Sequence, residues 1–277
     1  MRVLLPTDFS VNAKYAIDYA LKLFEEETVE FYLWHVVKAS TYVTDDLLTA
    51  DATFSVYEAI TKKDSEALEG LMEDLTAEFN NQKHTFHPIM DYDNFIDSAN
   101  QIIERESIDL VVMGTKGMDN VEKAIFGSNT LRIIQRTSCP VLVIPDKYVF
   151  KPIKKIAFTS AYNSHYIEGE FDVFNRIAIM EDAQIDVIHY MENTDLTESE
   201  KANQAILEGY IKNSKHNYVN IEGQEYFDTI HNYIELKNYD IISVTSKKHN
   251  FFERLFNLHN VEIELQNLNL PLLVLKG

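Results

Sequence analysis

Directly after the apolar run Asp109–Met113 stand Gly114, Thr115, Lys116 and Gly117, and after nine intervening positions come Gly127 and Ser128. The spacing G-x2-G-x9-G-S is neither the P-loop pattern nor the dinucleotide fingerprint, yet it permits related chemistry. Glycines let a backbone approach a ligand closely or take a positive φ. A helix opening at Ser128 and carried by Thr130–Gln135 would aim free N–H groups and a partial positive charge at a phosphate. The Ser128 hydroxyl adds a hydrogen bond, and Lys116 and Lys123 could offset charge nearby. The bland alternative is a glycine turn followed by an ordinary helix start. A second candidate is Asp8 in Pro6-Thr7-Asp8-Phe9-Ser10. A carboxylate at the end of an apolar strand suits ribose hydroxyls or a base, although it could equally cap the next helix.

Those residues act together only if the chain brings them to one edge. Five short apolar or β-branched runs, RVLLP, VEFYLWHVV, HTFHPIM, DLVVMG and VLVIP, alternate with helical periodicity such as Ala13-Ile17-Ala20-Leu21-Phe24 and Ala67-Leu68-Leu71-Leu75-Phe79. Continuous apolar runs suit strands buried on both faces, as in parallel sheets, and the alternation predicts right-handed βαβ units. Ser10 reads as an N-cap. In a doubly wound sheet of order 3-2-1-4-5, Asp8 and Gly114 would face one crevice where the strand order reverses. Segment Lys38–Ala59 reads as a long connection of mixed character, with a surface lid as one reading of it.

The chain then repeats itself. Segments Ile108–Ile144 and Tyr239–Leu275 align without a gap at a constant offset, matching Asp109 with Asp240, Glu122 with Glu253 and Pro140 with Pro271. RVLLPTDFS matches KIAFTSAYN, and His35 matches His189, at a larger offset, so the second copy has lost a stretch of chain after that histidine strand. Its strands are KKIAF, QIDVIHY, NYVNIE, YDIISV and PLLVL. The fold class expected is therefore α/β: two tandem doubly wound domains, each a five-stranded parallel sheet flanked by four helices. They span residues 1–147 and 151–277, with the boundary near Asp146–Pro152.

PTDFS at the first strand, the HVV strand end, G-T-K-G-x9-G-S and the closing PVLVIP resemble the universal stress protein family over residues 1–145. The resemblance implies ATP, or ADP or AMP, as ligand, with Mg²⁺ as a companion. It implies nucleotide contacts from Thr7, Asp8, Val36, Met113, Gly114, Gly117, Gly127, Ser128 and Asn129, with Asp8 near the adenosine and the Val36 backbone at the adenine. It also implies pairing through the last strand, Val141–Ile144, for which Leu272–Leu275 could be the internal partner, and a homodimer is a further option. One departure is Asp91-Tyr92-Asp93-Asn94, where nucleotide-binding members often carry glycine and proline. Two acids there would weaken phosphate binding unless a Mg²⁺ lies between them. The second copy has lost the signature: Thr245 stands for Gly114, Lys248 for Gly117, Leu258 for Gly127, His259 for Ser128 and Ala161 for Asp8. It reads as a scaffold or regulatory half.

The 277 residues carry 44 acids against 25 Lys and Arg, a formal charge of -19. That field disfavours nucleic acid and anionic membranes as partners. The opening MRVLLPTDFS turns polar too early for a signal peptide, and no apolar run is long enough to cross a membrane. A cytoplasmic location is expected. The single cysteine, Cys139, rules out internal disulfides and reads as an inert thiol. His84 and His87 stand on opposite faces of a strand, and no metal site is expected; His35 and His189 read as packing or hydrogen-bonding residues. No catalytic residue stands out. The leading class is an adenine-nucleotide-binding stress or signalling protein with one working site. The alternatives are a nucleotide-independent protein-interaction module and a slow ATPase or self-phosphorylating protein.

Overall fold

The structure is a computed structural model that describes residues 1–37, 53–92, 94–115, 127–160, 162, 166, 168–191, 195–223, 226–246 and 270–276. Its first half runs β1 (Arg2–Pro6), α1 (Val11–Leu23), β2 (Val29–Val36), α2 (Thr53–Phe79), β3 (His84–Asp91), α3 (Phe95–Arg105), β4 (Leu110–Gly114), α4 (Ser128–Arg136) and β5 (Val141–Ile144). The second half runs β6 (Lys155–Thr159), a single 3₁₀ turn at Glu168–Phe171, α5 (Asp172–Met180), β7 (Gln184–Tyr190), α6 (Glu198–Ile211), β8 (His216–Ile221), α7 (Tyr226–Lys237), β9 (Ile241–Ser246) and β10 (Leu272–Lys276). One correction concerns α2. It begins at Thr53, inside the stretch read as a connection. Residues 38–52, and the stretch 247–269 where a fourth helix of the second copy is expected, lie outside the described residues.

The ten described strands form one sheet in the order β3-β2-β1-β4-β5-β10-β9-β6-β7-β8. Each half is parallel and has the expected order, β3-β2-β1-β4-β5 in the first and its counterpart in the second. The halves meet where β5 and β10 pair antiparallel, with Leu272 opposite Val143 and Val274 opposite Val141. Side chains alternate across each strand. Val3, Leu5, Phe31, Leu33 and Val112 thus pack with α1 and α2 on one face. Leu4, Tyr32, Trp34, Val111 and Met113 pack with α3 and α4 on the other. Each fully buried aliphatic side chain contributes about 1.5–3 kcal/mol, which makes this two-faced burial the main support of the sheet.

The seam between halves has a polar side too. Tyr148 and Phe150, in the segment joining β5 to β6, pack on the buried ring of Tyr19 at centroid distances of 6.0 and 5.2 Å. Arg176 on α5 reaches Glu27, after α1, at 2.5 Å. Lys276 on β10 is buried, and its Nζ donates to the Ile134 carbonyl of α4 at 2.5 Å.

Burial pushes the Lys276 ammonium down from 10.5 to about 8, with the neighbouring Cys139 partly opposing. Burial likewise pushes the Cys139 thiol up from 9.0 to about 12. The signs oppose. Above pH 8 the unfolded chain holds a proton that folded Lys276 has released, so stability rises with pH. Above pH 9 the unfolded chain has lost a proton that folded Cys139 keeps, and the rise is cancelled. Tyr19, Tyr218 and Tyr239 are also raised, chiefly by burial, so stability falls above pH 10. Urea denaturation should therefore show a gain of about 1 kcal/mol between pH 8 and 9, then a plateau and a decline. In Cys139→Ala the gain should continue toward pH 10. A wild-type profile that falls steadily from pH 8 would contradict this assignment.

Candidate functional site

The strand order reverses between β1 and β4, which are neighbours although their helices cover opposite faces. Beyond their carboxyl ends lies the crevice where doubly wound sheets hold ligands. Thr7 is built into its floor. Its N–H donates to the Trp34 carbonyl at 2.8 Å, and its Oγ1 accepts from the Phe9 N–H at 3.1 Å. Its carbonyl lies 2.8 Å from His35 Nδ1. A carbonyl can only accept, so Nδ1 carries the proton. The other ring nitrogen of His35 faces Asp64 of α2 at 3.7 Å. His35 therefore ties the end of β1 to β2 and α2, a hydrogen-bonding role of the kind expected.

Asp8 is half-buried, and its Oδ1 accepts from the Ser10 N–H at 3.1 Å. Ser10, not Asp8, is the N-cap of α1, accepting from the Ala13 N–H at 3.2 Å. Between them Phe9 holds φ 60 and lays its ring against His35 at 4.6 Å. A bulky residue in the left-handed region is uncommon and concentrates at functional turns. Val36 ends β2 opposite Asp91, half-buried.

On the β4 side, Met113 is buried opposite Val143, and Gly114 lies opposite Ile144. The Thr115 N–H continues the ladder to the Ile144 carbonyl at 3.0 Å. The Gly127 N–H then donates to the Thr115 carbonyl at 2.5 Å, and Thr130 Oγ1 donates to the Gly114 carbonyl at 3.0 Å. These bonds seat the start of α4 directly over the end of β4. Gly127 is the N-cap of α4 and no side chain caps it, as is also so for α5, whereas Ser10, Asn94 and Thr197 cap α1, α3 and α6. The first N–H groups of a helix have no acceptor within it, so the amides of exposed Ser128 and half-buried Asn129 are placed to receive an anion. The structure thus brings Thr7, Asp8, Val36, Met113, Gly114, Gly127, Ser128 and Asn129 to one sheet edge. Gly117, with Lys116 and Lys123, lies outside the described residues.

Two residues have duties the sequence did not disclose. A Cβ on Gly114 would sit 3.0 Å from the Asn12 carbonyl oxygen, so glycine lets α1 press against β4. Gly114→Ala should cost about 1–3 kcal/mol of stability in urea denaturation, with or without ligand; an unchanged midpoint would show that α1 retreats freely. The Gly127 amide is spent on Thr115, so Gly127 shapes the cradle and does not donate to it. Thr115 and Thr130, which complete the seat of α4, were missed; their only signal is that they adjoin the glycines.

The acidic turn after β3 is also explained. Asp91 Oδ2 accepts from Ser98 Oγ at 2.5 Å, and Oδ1 accepts from the Tyr92 N–H at 2.7 Å. Asp91 thereby braces the first turn of α3, whose cap is Asn94. Asp93 lies outside the described residues. Among the described residues no cluster of three or more His, Cys, Asp or Glu could hold a metal, and no helix is long and apolar enough to cross a membrane.

The second half keeps the frame and fills the crevice. His189 Nδ1 donates to the Ser160 carbonyl at 2.9 Å, as His35 does to Thr7. Tyr162 repeats the positive φ of Phe9, at 50°, and stacks on His189 at 4.5 Å. Unlike Phe9, it is fully buried, with its carbonyl accepting from Asn203 Nδ2 at 2.6 Å and its hydroxyl accepting from Gln204. Tyr166 hydrogen-bonds Ser160 beside it. Thr245 replaces the glycine that ends β4.

Comparison with known proteins agrees with this architecture. The model of the universal stress protein family matches residues 1–145. Two universal stress proteins of Methanocaldococcus jannaschii are similar to the first half. One is 27% identical over 148 residues, 52% of this chain and 81% of that protein; the other is 26% identical over 154 residues, 53% and 95%. The crystal structure of a universal stress protein from Archaeoglobus fulgidus shares the fold along the whole chain, with TM-score 0.71 at 16% identity, covering 99% of this chain and 96% of that one. A protein of unknown function from Pseudomonas aeruginosa does so with TM-score 0.60 at 14% identity, covering 100% and 92%. The family model spans just over half of the chain, and the chain belongs to the universal stress protein family.

Proposed function

We propose that residues 1–147 bind one adenine nucleotide, with ATP as the ligand, and that residues 151–277 form a degenerate tandem domain without a nucleotide site. The observation that carries this reading is the uncapped start of α4, held over the end of β4 by Gly127 and Thr130. The phosphates lie against the Ser128 and Asn129 amides, where α4 supplies its positive end. Asp8 takes the ribose hydroxyls and the Val36 backbone the adenine; Met113 and Thr7 line the floor, and Gly117 lets the loop approach. Any Mg²⁺ enters bound to the phosphates, since Asp91 already has both oxygens engaged.

The role that fits is binding, not turnover: nucleotide occupancy sets the conformation of a cytoplasmic stress or signalling protein. The filled crevice around Tyr162 supports one site per chain. Acid extraction of the purified chain followed by anion exchange should release about one adenine nucleotide per chain. Added ATP should raise the thermal midpoint, because saturating ligand stabilises by a few kcal/mol. An empty extract together with no thermal shift at millimolar Mg-ATP would overturn the reading in favour of a nucleotide-independent interaction module.

A further inference from the structure

Helix α4 is held at both ends, and the two anchors come from different halves of the sheet. At its start, Gly127 and Thr130 bond to the end of β4. At its other end the last carbonyls have no donor within the helix. Thr137 takes the Ile133 carbonyl, through its N–H at 3.2 Å and its Oγ1 at 2.7 Å, and Asn100 of α3 takes that of Arg136 at 3.3 Å. Lys276 takes the Ile134 carbonyl at 2.5 Å. Among these three partners Lys276 alone is charged and alone comes from the second half.

Its placement is unusual for a lysine. A lysine at a strand end ordinarily runs its stem along apolar surface and keeps its ammonium in water. Lys276 is only 9% exposed and turns inward onto α4. A buried cation is costly unless it is well paired. Its pairing here is with the negative end of a helix, where a cation is favoured. A nine-residue helix is stiff and short, so a shift at its last turn is felt at its first. A cradle made of backbone amides tolerates displacement of only about 0.5 Å.

We infer that Lys276 is a positioning residue for the phosphate cradle: from β10 it fixes the far end of α4, so that the site in the first half depends on a strand of the second. This rests on the nucleotide reading above and gives the degenerate half a task in binding. The test is calorimetric titration of the full chain and of Lys276→Met and Lys276→Gln with ATP and with adenosine, alongside thermal melts. Lys276→Met should bind ATP about 10-fold more weakly, bind adenosine as the wild type does, and melt no lower, since a buried charge has been replaced by an apolar chain. Lys276→Gln retains a donor for the carbonyl and should lose less ATP affinity. Unchanged ATP affinity in Lys276→Met overturns the inference alone. So does an equal loss for both ligands with a lowered midpoint, which is what a merely structural role would give. A wild-type chain that binds neither ligand overturns the nucleotide reading and this inference with it.

Discussion

Ser128→Glu should weaken ATP binding by about 30-fold or more while leaving the fold as stable as before, or slightly more so. The two effects have opposite sign because one helix end serves both. Ser128 is exposed in the first turn of α4, and no side chain caps that helix. A carboxylate in a first turn is favoured by the helix dipole by about 0.3–1 kcal/mol. The same carboxylate would stand within about 5 Å of the proposed phosphates, and like charges at that distance near a protein surface repel by about 3 kcal/mol. That is more than enough for the loss. Adenosine, which carries no phosphate, should bind as it does to the wild type. Titration calorimetry with both ligands and a thermal melt check all three expectations. Equal affinity for ATP would place the phosphates elsewhere, and loss of adenosine as well would mean that the substitution had disturbed the whole edge.

How much of this edge could be read beforehand depended on whether each residue acts locally. The ten described strands lie where the apolar or β-branched runs placed them. Inner strands such as β1, β4 and β5 are buried on both faces and apolar along their length, whereas the edge strands β3 and β8 are half-exposed and mixed in sequence. Two strand pairs start at the repeat offset: Leu110 and Ile241 open β4 and β9, and Val141 and Leu272 open β5 and β10, both at the offset that matches Asp109 with Asp240. His35 and His189 recur because the same carbonyl has to be held in each half. The start of α2 is hard to read because the polar stretch Thr61–Glu66 separates the apolar positions Phe54–Ile60 from the clear stripe that begins at Ala67. Other features are set by contacts across the fold. Nothing near Gly114 reveals that the Asn12 carbonyl lies against it. Asp91 reads as an extra charge beside phosphates until Ser98, on the next helix, is seen to engage it. Nothing in the sequence marks Lys276, which closes an apolar run; it is buried because β10 lies between β9 and β5 in the middle of a ten-stranded sheet.

The two halves should also answer one substitution in opposite measure. Phe9 and Tyr162 hold the same place after the first strand of each half, share a positive φ, and rest on equivalent histidines. Their surroundings differ. Phe9 is 39% exposed, whereas Tyr162 is fully enclosed. Phe9→Ala removes a ring already half in water and should cost about 1 kcal/mol. Tyr162→Ala leaves a cavity beside His189 and Tyr218 and strips the Gln204 amide of its acceptor. Truncating a buried aromatic costs about 3–5 kcal/mol, and the orphaned polar contact adds to it. Both variants place alanine where φ is positive, so backbone strain cancels in the comparison. Urea denaturation of the pair should separate them by about 2 kcal/mol or more, with Tyr162→Ala the weaker. Equal losses would mean that the Tyr162 ring packs no better than that of Phe9 and that the second crevice is open. A large difference would mean that the second half has turned the space beyond its first strand into core, which fixes that half in one conformation and leaves the open edge of the first half as the one able to respond to a ligand.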